Sequence, residues 1–181
     1  SLQDRIYLVL NGQIRLLNIN DDGSIDTLAK RGSGQLIGWV SLLRAAPTEW
    51  ITASEESLIL ALPAKYFLES FKSNLKFKNW FGSLVQPQES TAVVLAALNN
   101  QAKKPAEWKS LITNQVNESV VVTLEGGTDF NPPSNQKFKT YNWYLSTSGL
   151  PDYPVGSLIK PGSKINISEA FTLPFRVIGI P

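Results

Sequence analysis

Histidine, cysteine and methionine are all absent from the 181 residues of this chain. Without a thiolate or an imidazole, the sequence offers no Ser-His-Asp triad, no Cys-His nucleophile pair, no ordinary zinc site and no disulfide. These absences exclude most enzyme classes, so we expect a protein that is not an enzyme and that holds no metal or cofactor. Because position 1 is not methionine either, we also expect a piece of a longer protein.

Charge is sparse as well. Charged residues make up 18% of the chain against 43% hydrophobic residues, and the formal net charge is +2, as is typical of a globular protein. The basic residues are spread through both halves and form no stripe with interleaved aromatics, so we expect no nucleic-acid partner. No run approaches the about 20 apolar residues of a membrane-spanning helix, so we expect no membrane insertion by this segment.

Carboxylate pairs occur at two places, and both favour loops over catalysis. Asp21-Asp22 precede Gly23, which is typical of a turn, and Glu55-Glu56 are expected to form a solvated loop pair.

Short apolar runs dominate the first half of the chain. The stretch "RIYLVLNGQIRLL" at 5–17 places two apolar runs around Asn11-Gly12, which predicts a tight type I′ hairpin. Further strands are predicted at 25–30, 49–54 and 57–63. Short strands at this spacing indicate a small antiparallel β-barrel or sandwich.

The periodicity then changes to that of helices. A first helix is predicted over 63–71, with Pro63 at its first position, and a second over 74–81. We expect their apolar side chains to be packing residues. These side chains are Tyr66, Phe67, Phe71, Leu75, Phe77 and Trp80.

The remaining sequence predicts a second small α+β unit. Helices are expected in "STAVVLAALNN" at 90–100 and around 108–112, and strands at 119–125, 141–146, 156–162 and 175–180. The loop at 126–139 has no assigned structure, and we find no chemical motif in this half. The predicted division is a domain at 1–85, a helix and linker at 86–105, and a domain at 106–181.

Over about residues 4–81, the chain resembles the cyclic-nucleotide-binding domain family. The matching stretches are the 5–17 run, "LAKRGSGQLIGWVSLL", the Pro47 turn, "ITASEESLILALP" and the trailing helix "KYFLESF". The resemblance implies a jelly-roll barrel with trailing helices, and hence an α+β, mainly β fold class. Members of the family usually have a helix and further strands before the first of these stretches, so we expect the chain to begin inside a truncated domain.

The resemblance also implies a ligand site. The family holds the cyclic phosphate on backbone amides at the start of a short helix, where the free N–H groups favour an anion. The corresponding residues form a degenerate candidate site. They are Gly38, Trp39, Val40, Ser41, Leu42, Arg44 and Thr48.

Two side chains that complete the family's site are replaced in this sequence. Trp39 stands where the family has a glutamate for the ribose, and Pro47 or Thr48 stands where it has an arginine for the phosphate. Losing both contacts should lower the affinity for cyclic AMP by roughly two orders of magnitude or more. Arg44 is either a displaced phosphate partner or a surface or capping charge.

The order of modules over most of the chain is similar to the amino-terminal cytoplasmic region of peptidase-containing ABC exporters of the cyanobacterial type, which serve type I secretion. This similarity implies a regulatory or docking region at the cytoplasmic face of the inner membrane. Its partners would be other domains of the exporter or the exported substrate protein. The alternative is a sensor domain for a cyclic nucleotide or another small anion.

Overall fold

The chain divides into two compact units, Ser1–Asn79 and Trp80–Pro181. The computed structural model describes residues 4–19, 23–48, 50–100, 116–150, 152–165 and 174–181. The predicted turn at Asp21-Asp22 and the predicted helix around 108–112 lie outside these residues. The division lies at residue 79, whereas the sequence predicts one at residue 85, and the helix predicted within 86–105 lies in the second unit.

The first unit contains two three-stranded antiparallel sheets. One has the order β4-β1-β6, from β1 (Arg5–Asn11), β4 (Leu36–Ile37) and β6 (Leu58–Pro63). The other has the order β3-β2-β5, from β2 (Ile14–Ile19), β3 (Ile25–Arg31) and β5 (Trp50–Ala53). Helix α1 (Trp39–Arg44) follows β4, and α2 (Ala64–Ser73) follows β6. The predicted β-rich class with trailing helices is confirmed.

The predicted hairpin at Asn11-Gly12 is wrong. The two strands that flank it, β1 and β2, lie in different sheets and do not pair. Their apolar residues meet through side chains instead, because Val9, Ile14, Leu16 and Ile37 form one buried cluster shared by both sheets. Gly12 has φ 86, and a Cβ there would lie 2.6 Å from the carbonyl oxygen of Glu56. Glycine is therefore required at the point where the chain crosses between the sheets.

The trailing helices confirm part of the predicted packing. Helix α2 begins at Ala64, because Pro63 is still the last residue of β6. Phe67 and Phe71 are buried as predicted, but Tyr66 is exposed.

Helix α3 (Leu75–Ser83) crosses the division between the units. The packing role predicted for two of its residues is wrong, because Leu75 and Trp80 are 70% and 65% exposed. Helical periodicity identified the apolar positions of these helices but did not predict which of them are buried.

The second unit is built around one antiparallel sheet of order β7-β9-β8. Within the described residues of this unit, the strands are β7 (Val120–Leu124), β8 (Asn142–Leu145) and β9 (Phe175–Ile180), and α4 spans Pro87–Asn100. Short 3₁₀ helices span Val116–Glu118 and Gln136–Thr140, so the loop at 126–139 is partly structured. The strand predicted at 156–162 is wrong, since it contains only an isolated bridge from Leu158 to Tyr144.

Every residue of β9 is buried, because this central strand is covered on both faces. Phe175 and Val177 join an aromatic-rich core on one face. Ile178 and Ile180 pack with Val93 and Val94 of α4 on the other. Because side chains alternate along a strand, Arg176 lies on the face that carries α4.

Among the helices in the described part of the chain, none has the length and apolar character needed to cross a bilayer.

Candidate ligand-binding site

The candidate site begins where β4 turns into α1. Gly38 has φ 88 in the left-handed region, which glycine adopts without the penalty that a Cβ brings. This turn lets the chain start α1 at Trp39, directly after β4 ends at Ile37. The helix has six residues and all of them are buried, so α1 is part of the interior of the first unit.

Trp39 is the residue that departs most from the family pattern, and the structure places it in the core. Its side chain is 4% exposed. The Trp39 and Phe67 ring centroids are 6.3 Å apart, and Phe67 in turn contacts Phe71 at 6.2 Å and Phe77 at 5.2 Å. We call these four residues the aromatic cluster. The indole therefore packs against Phe67 of α2 and offers no hydrogen-bond acceptor in place of a carboxylate.

Ser41 and Thr48 are the two candidate residues that the structure brings together. Their hydroxyl oxygens are 2.7 Å apart, and the backbone N–H of Thr48 donates to Ser41 Oγ at 3.2 Å. The N–H of Ala46 donates to the Ser41 carbonyl at 3.1 Å, so the chain folds back onto α1 just after it ends. The hydroxyl groups of both residues thus make hydrogen bonds within the site itself.

Arg44 is the last residue of α1. It is 2% exposed, which corrects its interpretation as a surface charge. Val40, Leu42 and Leu43 are also buried and supply apolar packing. Of the seven predicted site residues, Thr48 alone is half-buried and the other six are buried.

Acidic residues do not assemble into a centre in the part of the chain that the structure describes. No group of three or more such side chains is placed to hold a metal ion within the described ranges. Glu55 and Glu56 are exposed, in agreement with the predicted solvated loop.

The second unit contains a buried polar cluster that the sequence did not predict. Arg176 and Glu89 are both fully buried and their side chains meet at 2.8 Å. The signals were an arginine inside the apolar strand "FRVIGI" and a carboxylate at the start of an Ala/Leu-rich helix. Either signal alone is common on protein surfaces, so the sequence could not predict that these two side chains pair.

Residues 2–74 match the family model of the cyclic nucleotide-binding domain. Together with its antiparallel sheets and its helices, this match gives the first unit a cyclic-nucleotide-binding-like fold. No curated protein matches the chain.

Several solved structures are similar to part of the chain. A cyclic nucleotide-binding domain from Methylobacillus flagellatus is 24% identical over 44% of this chain and 45% of that one, with a TM-score of 0.36. The catabolite activator protein of Thermus thermophilus is 24% identical over 58% of each chain, also at 0.36. The regulatory subunit of a cAMP-independent protein kinase A from Trypanosoma brucei is 16% identical over 44% of this chain and 34% of that one, at 0.34. The chain thus spans less than two thirds of the length of each.

Proposed function

We propose that the first unit is a non-catalytic regulatory module that does not bind cyclic nucleotides and acts through protein contacts. The observation that carries this proposal is the burial of Trp39 against Phe67. The resemblance assigns this position to a carboxylate that accepts a hydrogen bond from the ribose. A buried indole offers no acceptor, and its ring occupies interior space that would have to be reopened before a sugar could enter.

The phosphate side of the site supports the same conclusion. At the position of the family's arginine, Thr48 engages the Ser41 hydroxyl at 2.7 Å. Arg44 is enclosed in the interior at 2% exposure, so it cannot reach a solvated anion without leaving its packed position. The site therefore lacks the charge-assisted contact that gives arginine-phosphate pairs their strength.

Exposed apolar residues on two edge strands supply a surface for protein contacts. Strand β6 is at the edge of its sheet, and Leu58, Ile59 and Leu60 are all more than 40% exposed. On β5, at the edge of the other sheet, Trp50 is 67% exposed. Exposed apolar edge strands favour aggregation unless a partner covers them. This surface is the proposed docking site.

The proposed partner is another domain of a peptidase-containing ABC exporter, which holds the module at the cytoplasmic face of the inner membrane. The similarity in module order supports this context. The open reading frame that contains this segment provides a direct test: a peptidase domain, membrane helices and an ATPase should follow. A helix-turn-helix domain in their place would contradict the exporter context and favour a transcription regulator.

Calorimetric titration of the 181-residue chain with cyclic AMP and cyclic GMP tests the loss of nucleotide binding. We expect no saturable heat from about 1 μM nucleotide up to hundreds of micromolar. Each lost charged contact weakens nucleotide binding by about tenfold or more. Saturation near micromolar nucleotide would contradict the proposal.

A second candidate function is a sensor for a small anion other than a cyclic nucleotide. It is favoured by the glycine turn at Gly38, which keeps the backbone path into α1. Tryptophan emission during a screen of nucleotides and small anions separates the two functions, since Trp39 lies at the start of this helix. A saturable change would support the sensor, and a silent screen would support the docking module.

A further inference from the structure

The sheet of order β3-β2-β5 has apolar side chains on both of its faces. On its inner face, Ile14 and Leu16 belong to the buried cluster that both sheets of the first unit share. The intervening positions of β2 point to the opposite side, because side chains alternate along a strand, and these positions include Leu17 and Ile19. We call this side the outer face. An antiparallel sheet with one face in water usually carries polar residues there, so the outer face departs from the pattern of a solvated surface.

The strand register places the apolar residues of the outer face side by side. Ile19 lies opposite Ile25 of β3, and Leu17 lies opposite Trp50 of β5. Residues that are directly opposite each other share a face and have Cβ atoms about 5 Å apart. Ile19, Ile25 and Trp50 are 46%, 61% and 67% exposed. These four residues therefore form one continuous exposed patch, which we call the apolar patch.

Two cationic side chains continue the outer face beyond the apolar patch. Arg15 lies two residues before Leu17 on the same face, directly opposite Lys30 of β3, and both cations are exposed. Like charges directly opposite each other on a sheet are destabilising. No ion pair joins Arg15 or Lys30 to an acidic side chain in the part of the chain that the structure describes. The outer face thus presents two adjacent positive charges beside an apolar surface.

The dimensions of the outer face match those of a single helix. Its strands are about 4.8 Å apart, so the two outer strands are separated by about 10 Å. This width is about the diameter of an α-helix with its side chains. From Arg15 to Ile19 the face is about 13 Å long, a distance that a helix covers in about nine residues. One amphipathic helix can therefore cover the apolar patch and still reach both cations.

We propose that the outer face docks an amphipathic helix of a protein partner. An apolar stripe of this helix packs on the apolar patch, and acidic residues in its adjoining turn pair with Arg15 and Lys30. This inference rests on the proposed function, because it specifies the partner through which the first unit makes protein contacts. An anionic membrane gains only about 1 kcal/mol from each nearby cation, so a face with two cations suits a carboxylate-bearing helix better than a lipid surface.

The test uses two synthetic helical peptides as probes and ¹H–¹⁵N NMR of the complete chain. Both peptides carry leucines at i, i+3, i+4 and i+7. One peptide has two glutamates in the next turn, and the other has two lysines there. We expect the glutamate peptide to shift the backbone amides of Leu17 and Ile25 saturably below about 1 mM, and the lysine peptide to bind at least about tenfold more weakly.

Charge reversal separates docking from effects on folding. The double variant Arg15→Glu/Lys30→Glu should reverse the preference, so that the lysine peptide binds about tenfold more tightly than the glutamate peptide. The matched control is Lys65→Glu/Lys72→Glu, which makes the same change of charge at exposed positions of α2 and should keep the original preference. An unchanged preference in the first double variant would overturn the proposal.

Two further outcomes would assign the outer face to another occupant and would also overturn the proposal. One is cosedimentation with vesicles of phosphatidylglycerol and phosphatidylcholine without binding to the glutamate peptide. The other is a shift of the same amides on dilution of the chain alone, which would indicate a second copy of the chain. The cyclic AMP titration tests the proposed function separately. A silent nucleotide titration together with no binding of the glutamate peptide would overturn this inference alone.

Discussion

Arg176 and Glu89 form a bidentate ion pair in the interior of the second unit. The Arg176 Nε and Nη2 atoms donate to the two carboxylate oxygens of Glu89, each at 2.8 Å, and both side chains are fully buried. Ser146 Oγ adds a hydrogen bond of 2.7 Å to Glu89. The guanidinium also donates to the carbonyls of Gly82, at 3.2 Å, and Leu84, at 2.9 Å. The pair thus ties strand β9 to helix α4 and to the segment before it.

Glu89→Gln should destabilise the second unit by about 3 kcal/mol, because it leaves the arginine charge buried without its counter-charge. Urea denaturation of the complete chain measures the change. Lys137→Gln is the matched control, since its pair with Glu118 is more than half exposed on both sides and such pairs contribute about 1 kcal/mol or less. Equal losses of unfolding free energy for the two substitutions would show that the buried pair stabilises the protein no more than the exposed pair.

Gly156→Ala should destabilise the second unit by roughly 2–4 kcal/mol. Gly156 has φ +82, and a Cβ there would lie 2.6 Å from the backbone nitrogen of Ala97 in α4, so backbone strain and overpacking add. Gly162 has nearly the same φ, +79, but open space around it. Gly162→Ala should therefore cost only about 1 kcal/mol for strain. Thermal denaturation of both variants separates the two terms, and identical midpoints would contradict the close packing of Gly156 on α4.

Trp39→Ala should cost the first unit about 3–5 kcal/mol, because it removes a buried indole that packs against Phe67 in the aromatic cluster. Trp50→Ala is the natural control. Trp50 is 67% exposed whereas Trp39 is 4% exposed, so its removal should change the free energy of unfolding by about 0.5 kcal/mol or less. Urea titration of the two variants gives the comparison. A small effect at Trp39 would mean that the indole is not the packing element that the proposed function requires.

Ser41→Ala and Thr48→Val should be coupled. Their hydroxyls bond to each other at 2.7 Å, so a double-mutant cycle should give an interaction energy of about 1 kcal/mol. The readout is the unfolding free energy of the first unit for the two single variants and the double variant. Strict additivity would place the two hydroxyls apart in solution and would reopen the phosphate side of the candidate site.

Local pattern predicted most of the strands and helices but not how the strands combine. The apolar patterning on either side of Asn11-Gly12 predicted two strands, which the structure contains as β1 and β2. It carries no information on the partner strand, and the turn preference of Asn11-Gly12 indicated a hairpin where the chain instead changes sheets. In the structure, residues 56 and 57 lie close to Gly12. These residues are far from Gly12 in the sequence, so the local pattern could not indicate this contact.

For the candidate site, the sequence predicted residues at the start of a short helix, and the structure contains that helix as α1. The sequence identified Trp39 and Thr48 as departures from the family pattern, since substitution of one residue type by another is visible without a structure. Burial of Trp39 was not visible, because it depends on packing against Phe67 of α2, and no local signal indicated the burial of Arg44. The ion pair of Glu89 with Arg176 joins residues 87 positions apart, and no local signal links them.

We propose that the first unit keeps the fold of a cyclic-nucleotide-binding domain while its ligand site is closed. The most direct measurement is the ¹H–¹⁵N NMR spectrum of the complete chain with about 1 mM cyclic AMP, read at the backbone amides of Val40 and Ser41 and at the indole of Trp39. We expect these three signals to stay in place. A saturable shift of all three would show that the nucleotide still reaches the start of α1 and that the site is open.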